Sequence, residues 1–181
     1  MPPPTADHSV RVAWADDAAD IARIQAETWR AAYDGLLPPE AVDLDVDRAA
    51  AAWRAALVAS GDARNRVLVA LEGNRVVGFA VTTPAADPDC DPVHDAELGE
   101  FAVAAGARGR GHGSRLLQAA VDTMVADRFE RAVSWLLAGD DDLRGFLASA
   151  GWAPDTAHRE LDLDGSGSVR VKQIRLHTAL A

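Results

Sequence analysis

One cysteine, Cys90, serves the whole chain of 181 residues. A lone thiol cannot close an internal disulfide, so no disulfide scaffold is expected. Lysine is as scarce: Lys172 stands alone, and arginine supplies the rest of the 18 basic side chains. That bias lowers the weight any single arginine can carry, and an arginine gains meaning only from its position. No apolar run approaches the roughly 20 residues a membrane helix needs, and the opening MPPPTADHS has no hydrophobic signal segment. The expectation is a cytoplasmic protein with no membrane partner. The five histidines show no metal-ligand spacing, so no metal is expected. A net charge of −10 lacks the clustered positive charge a nucleic-acid surface requires, which excludes that class of partner and mildly favours amine-bearing ones.

What is present is ordinary for a globular core, with 49% hydrophobic and 25% charged residues. The length fits one domain spanning 1–181, with residues 1–8 as a flexible N-terminal tail. Oligomeric state is not legible, and a homodimer is left open.

The chain is organised around Ala96–Asp127. Leu98, Phe101 and Val103 give Glu97–Val103 the character of a strand, closed by the turn-rich run Ala104–Gly109. From Ser114 onward Leu116, Leu117, Ala120, Val121, Met124 and Val125 form one apolar stripe of a helix. The glycines therefore lie where a strand becomes a helix. The first helical turn offers unpartnered N–H groups and a positive dipole end, which suit an anion. Gly111 and Gly113 carry no Cβ to keep a phosphate oxygen away, and Arg108 and Arg110 add guanidinium forks. A Walker loop would need Lys-Ser or Lys-Thr after its last glycine, but Gly113 is followed by Ser114 and Arg115. A dinucleotide fingerprint fails as well, because Ser114 occupies its third glycine position.

On these residues, Val103 followed by Arg108-x-x-Gly111-x-Gly113, the chain resembles the GNAT superfamily of N-acetyltransferases. Trp135–Asp140 and Phe146–Trp152 look like that family's next strand and the helix ending in a Gly-aromatic pair. The resemblance implies an α/β fold with a mixed, mostly antiparallel central sheet and helices on both faces. It implies acetyl-CoA as donor and co-substrate, with pantetheine along Phe101, Ala102 and Val103. The pyrophosphate would lie in the loop Arg108, Gly109, Arg110, Gly111, His112, Gly113 and Ser114, and Asp140 and Phe146 would also face the coenzyme. The partner would be an amine-bearing small molecule or peptide.

The remaining elements follow in order. Val10–Ala13 alternates like a strand, and a helix capped by Asp16 or Asp17 carries Ile21, Ile24, Thr28, Trp29 and Ala32 to an end at Gly35. Pro38-Pro39 opens a second helical region that breaks over Leu44–Asp47 and resumes to Gly61. Val67–Leu71 and Val76–Val81 read as a hairpin about Glu72–Arg75. Residues 84–95 form a loop whose Asp87, Asp89, Asp91 and Asp95 are either solvated surface or a rim for a cationic acceptor. A strand at Ala132–Leu137, a helix at Asp141–Ala150 capped by Gly151, and a hairpin of Arg159–Leu163 with Val169–Leu176 complete the chain.

Acetyl transfer to an amine needs that amine neutral. An alkyl amine has a pKa of about 10, so a carboxylate that accepts its proton is useful. Glu97 and Glu100 lie on the strand beside the donor position. Three residues apart on a regular strand they face opposite sides, so only one should serve. The resemblance favours Glu97, six residues before Val103. The family's tyrosine after the helix aromatic is absent here, where Phe146 is followed by Leu147. Tyr33 is the remaining candidate acid, and Trp29, Tyr33 and Trp53 are either core residues or, with Glu97, walls of the acceptor pocket. Asp140 stands where the family often has Asn. A thiolate also leaves without an assigned acid, its pKa of about 8.5 being well below that of the amine. A non-catalytic acyl-CoA sensor or interaction module of the same fold is the rival reading.

Overall fold

The computed structural model describes residues 8–59 and 61–181. Seven strands, β1 (His8–Val12), β2 (Arg66–Glu72), β3 (Arg75–Pro84), β4 (Asp95–Val103), β5 (Arg131–Leu137), β6 (Ala153–Asp162) and β7 (Arg170–Ala179), join in the order β1-β2-β3-β4-β5-β7-β6. β4 and β5 run parallel, whereas β1–β2, β2–β3, β5–β7 and β6–β7 are antiparallel. The helices are α1 (Ala18–Tyr33), α2 (Pro39–Val42), α3 (Val46–Val58), α4 (His112–Ala126) and α5 (Asp141–Ser149). The mixed, mostly antiparallel sheet with helices is the expected α/β class. Within it the chain forms two compact units, one of residues up to Thr82 with Glu100–Thr123, the other of Thr83–Gly99 with Met124–Ala181.

The first unit holds a core of Ala13, Ile21, Ile24, Val69, Leu71, Val76, Phe79 and Ala102, against which Trp53 and Leu57 pack. Trp53 meets Phe79 edge-on, ring centroids 5.5 Å apart. Gly78 lets β3 lie close against β4: a Cβ there would stand 2.8 Å from the Ala102 carbonyl oxygen and 3.3 Å from Val103 Cγ2. In the second unit Ala132, Val133 and Leu136 of β5, Leu147 of α5, Trp152 and Leu176 are buried. The Ser134 hydroxyl there donates to the Leu98 carbonyl at 2.8 Å.

Several boundaries differ from the sequence expectation. His8, read as the end of a tail, opens β1 in register with Glu72; residues 1–7 lie outside the described residues. Asp17 does occupy the N-cap position of α1, yet its carboxylate accepts from the Trp14 N–H at 2.7 Å and from Arg11, making no cap bond to the helix. β6 begins at Ala153, well before Arg159. On α4, Leu116, Leu117, Ala120 and Met124 are buried but Val125 is 36% exposed. Nine residues from Leu116 is about 180° around a helix, so Val125 belongs to the outer face.

Helix ends follow the chain's small residues. Gly35 takes φ +74° just past α1. Gly151, at φ +91°, lets α5 close with paired bonds, Gly151 N–H to Ala148 O at 3.0 Å and Trp152 N–H to Leu147 O at 3.1 Å.

Candidate functional site

β4 ends at Val103, passes through a short 3-10 turn at Ala105–Ala107, and reaches α4 at His112. Glu27 of α1 holds this turn by accepting the Ala105 N–H at 2.8 Å. Arg108 Nε donates to the Val103 carbonyl at 3.0 Å, which ties the loop back onto the strand. Gly109 and Gly111 have φ of +75° and +83°, a conformation other residues adopt only with strain. A Cβ on Gly111 would also meet Arg115 Nη1 at 2.8 Å. The Gly111 carbonyl accepts the Arg115 N–H at 3.2 Å, so α4 starts there and the amides of residues 111–114 precede its hydrogen-bond ladder. Gly113 and Ser114 lie in the first helical turn.

The expected basic pair is not equally disposed. Arg110 is engaged, its Nη1 donating to Glu72 Oε1 at 2.6 Å and its Nη2 to the Gly106 carbonyl at 2.5 Å. His112, between the two glycines, is 1% exposed and so faces the interior. Burial foremost, then the neighbouring charge of His8, lowers its pKa and keeps it neutral at pH 7. A cavity of about 430 Å³ in this unit is lined by Asp20, Arg23, Glu27, Arg75 and Gly106, among others, and by none of the residues expected for the site.

Glu100 sits in a network the sequence did not reveal. Gln25 of α1 donates its amide to both carboxylate oxygens, at 2.8 and 2.9 Å, and accepts from Trp53 Nε1 of α3 at 2.9 Å. Surrounding protein pushes the Glu100 pKa up, and the Gln25 hydrogen bond opposes the shift. Tyr33 is buried, and burial followed by the charge of Glu100 raises its pKa, so its hydroxyl keeps its proton at neutral pH. Trp29 lies against Tyr33 with ring centroids 4.6 Å apart, and its buried indole N–H has no hydrogen-bond partner among the described residues. Gln25 was missed, although its spacing was readable: residues 25, 29 and 33 share one helix face.

In the second unit, Glu97 has a pKa raised by burial first and then by the charge of Asp87, with Arg159 opposing. Arg159 stacks on Trp135, 4.2 Å from the ring centre, and Trp135 Nε1 donates to Asp87 at 2.8 Å. The loop aspartates divide: Asp89 and Asp91 are exposed, as a solvated surface would be, whereas Asp87 and Asp95 are largely enclosed and paired with arginines. Arg175, only 5% exposed in its side chain, donates to Asp155 at 2.7 Å, to Asp89 at 2.6 and 2.8 Å and to Asp87 at 3.2 Å. Asp95 pairs with Arg131. Asp140 accepts the Leu143 N–H at 3.0 Å and thereby caps α5. Phe146 is half-buried on that helix, while Leu147, in the place of the family's tyrosine, is core at 1% exposed.

A strand delivering a glycine-rich loop to the N-terminus of a helix is, in an α/β protein, an arrangement that suits an anion. The chain belongs to the acetyltransferase (GNAT) family, which it matches over residues 20–152. Among solved structures it is similar to yncA from Salmonella typhimurium, solved with its cofactor acetyl-CoA, at 19% identity and a TM-score of 0.71, covering 97% of this chain and 95% of that one. It is also similar to a GCN5-related N-acetyltransferase from Kribbella flavida, at 23% identity and a TM-score of 0.71, covering 96% and 98%. PaiA N-acetyltransferase from Thermoplasma acidophilum, in complex with coenzyme A, matches at 14% identity and 0.68, covering 95% and 98%. No curated protein matches the sequence significantly. No helix among the described residues is long and apolar enough to cross a membrane.

Proposed function

We propose that the protein is an acetyl-CoA-dependent N-acetyltransferase acting on a primary amine of a small molecule or peptide. The observation that carries this reading is the loop Arg108–Ser114, whose left-handed Gly109 and Gly111 lead into helix-start amides that precede the hydrogen-bond ladder of α4. These residues fit a pyrophosphate, and family membership supports acetyl-CoA as its source. When bound, acetyl-CoA would supply the acetyl group as an activated thioester. The chain's part is to hold it: the amides of Gly111–Ser114 and the α4 dipole face the phosphates, and Ala102 and Val103 offer backbone to the pantetheine arm.

The base is Glu100, which Gln25 fixes in orientation and whose charge is felt by Tyr33. Its raised pKa makes it a better proton acceptor than an ordinary carboxylate. The acceptor amine gives its proton to Glu100, its nitrogen bonds to the acetyl carbon, and the carbon–sulfur bond breaks. Tyr33, which keeps its proton, is the donor in this unit for the departing thiolate. Trp29, with its unpartnered indole N–H, is the acceptor wall.

Free-thiol release from acetyl-CoA against an amine panel tests the assignment. Glu100→Gln should lower turnover by about 10²- to 10⁴-fold with little change in coenzyme affinity, and Glu97→Gln is the matched comparison. If Glu97→Gln is the slow variant and Glu100→Gln the normal one, the base lies on the other strand face, as the sequence resemblance suggests. One observation favours the rival reading of a binding module without turnover: Leu147 is buried core and supplies no acid. Tight acetyl-CoA binding with no thiol release for any amine would establish it.

A further inference from the structure

His8, Glu72 and His112 are far apart in the sequence, without the short spacing of a metal motif, but the fold gathers them in the first unit. His8 begins β1 and is in register with Glu72 at the end of β2, and His112 is the first residue of α4. Nε2 of His8 lies 3.5 Å and Nε2 of His112 3.7 Å from the same oxygen, Oε1 of Glu72. The three ligand atoms are all within 4.8 Å of one another, and the two imidazole rings are tilted by 57° with centroids 4.4 Å apart. We infer that His8, Glu72 and His112 form a binding site for one divalent cation of the zinc class.

Two independent features point to a ligand. The first is an orphan: His112 is 1% exposed, yet its Nε2 has no hydrogen-bond partner among the described residues. At 3.7 Å the Glu72 oxygen is too distant to serve, and a buried polar nitrogen left unpaired is costly. The second is spacing. Zinc holds nitrogen and oxygen ligands at about 2.0–2.2 Å in a tetrahedron, which sets neighbouring ligand atoms roughly 3.3 Å apart. The two contacts to Oε1 need to contract by only about 0.2–0.4 Å to reach that separation. Two imidazoles and one carboxylate suit zinc, cobalt or nickel; magnesium and calcium prefer an all-oxygen shell. Water would complete the fourth position.

Glu72 Oε1 already receives Arg110 Nη1, so the cation takes the place of one positive group at that oxygen. The Arg110 side chain is 45% exposed and can turn to solvent. Arg75 Nη2 donates to the other oxygen, Oε2, at 3.2 Å and can continue to orient the carboxylate. Occupancy would tie β1 and β2 to the start of α4. That this start also holds pyrophosphate rests on the transferase reading; the cation site does not.

The test uses chelator-stripped full-length protein without a polyhistidine tag, titrated with zinc in competition with a chromogenic chelator. One equivalent should bind, the melting temperature should rise with zinc but not with magnesium, and His8→Ala and Glu72→Gln should each weaken zinc by about tenfold or more. His8 is partly exposed at a strand start, so its variant should fold, which an unchanged metal-free melting temperature verifies. His158→Ala, an exposed histidine on β6, should bind zinc normally. Binding that is absent, or equal in the wild type, His8→Ala and Glu72→Gln, overturns the site. Acetyl-CoA calorimetry on the same samples is read separately, so that failure of coenzyme binding counts against the transferase reading and not against the cation.

Discussion

Arg175→Met would expose the electrostatic centre of the second unit. The substitution keeps the unbranched stem but removes a guanidinium that serves Asp155, Asp89 and Asp87 at 2.6–3.2 Å. These partners are not equivalent. Asp155 and Asp87 are 11% and 15% exposed and would be left as nearly buried anions, whereas Asp89 is 61% exposed and can rehydrate. Breaking a buried pair by removing one partner costs roughly 3–5 kcal/mol. Because one of the three carboxylates is solvated, the low end, about 3 kcal/mol, is expected. For a chain of this size each kcal/mol moves the melting temperature by about 2–4 °C, so the fall should be roughly 6–12 °C. Differential scanning calorimetry at pH 7 measures it. Adding Asp155→Asn should restore part of the loss, since it removes the most enclosed stranded charge. A shift under about 2 °C, or a double variant less stable than Arg175→Met alone, would refute the reasoning.

The same cluster predicts a pH effect. Hydrogen bonding to Arg175 lowers Asp89 from its ordinary 3.8 to about 2, so its contribution is present above the ordinary value and lost as pH falls through about 2. Asp89→Asn should therefore be less stable than wild type at pH 6, and thermal melts should converge between pH 4 and about 2; a constant gap would refute this. Gly113→Asp should abolish acetyl-CoA binding in calorimetry while the fold survives, because Gly113 sits in helical backbone and the variant adds a negative charge where phosphate is proposed to lie; unchanged affinity would overturn the loop assignment. Gly111→Asp should also lose binding, but with strain from φ +83° added. Gly78→Ala drives a Cβ against the Ala102 carbonyl, so stability should fall by about 1–3 kcal/mol in denaturant melts and coenzyme affinity with it. Normal affinity in that variant would show that the β4 backbone at Ala102 and Val103 does not hold the coenzyme.

The sequence by itself determined the local features. The strand-to-helix junction at Val103–Ser114, the end of α1 at Gly35 and the close of α5 at Gly151 rest on φ preferences and hydrogen bonds within a few residues, and they were readable in place. So was the family, because its motif is one short continuous stretch. Only the tertiary structure decided what lies around those features. Gln25 meets Glu100 across 75 positions, and Arg175 reaches Asp87 across 88. His8, Glu72 and His112 come together only because β1 pairs with β2 and α4 starts beside them. A carboxylate's role depends on which charge the fold sets beside it, and no periodicity records that. Asp87 looks like a solvated loop residue until β7 supplies Arg175, and the cap that Asp140 provides for α5 is visible only in the fold.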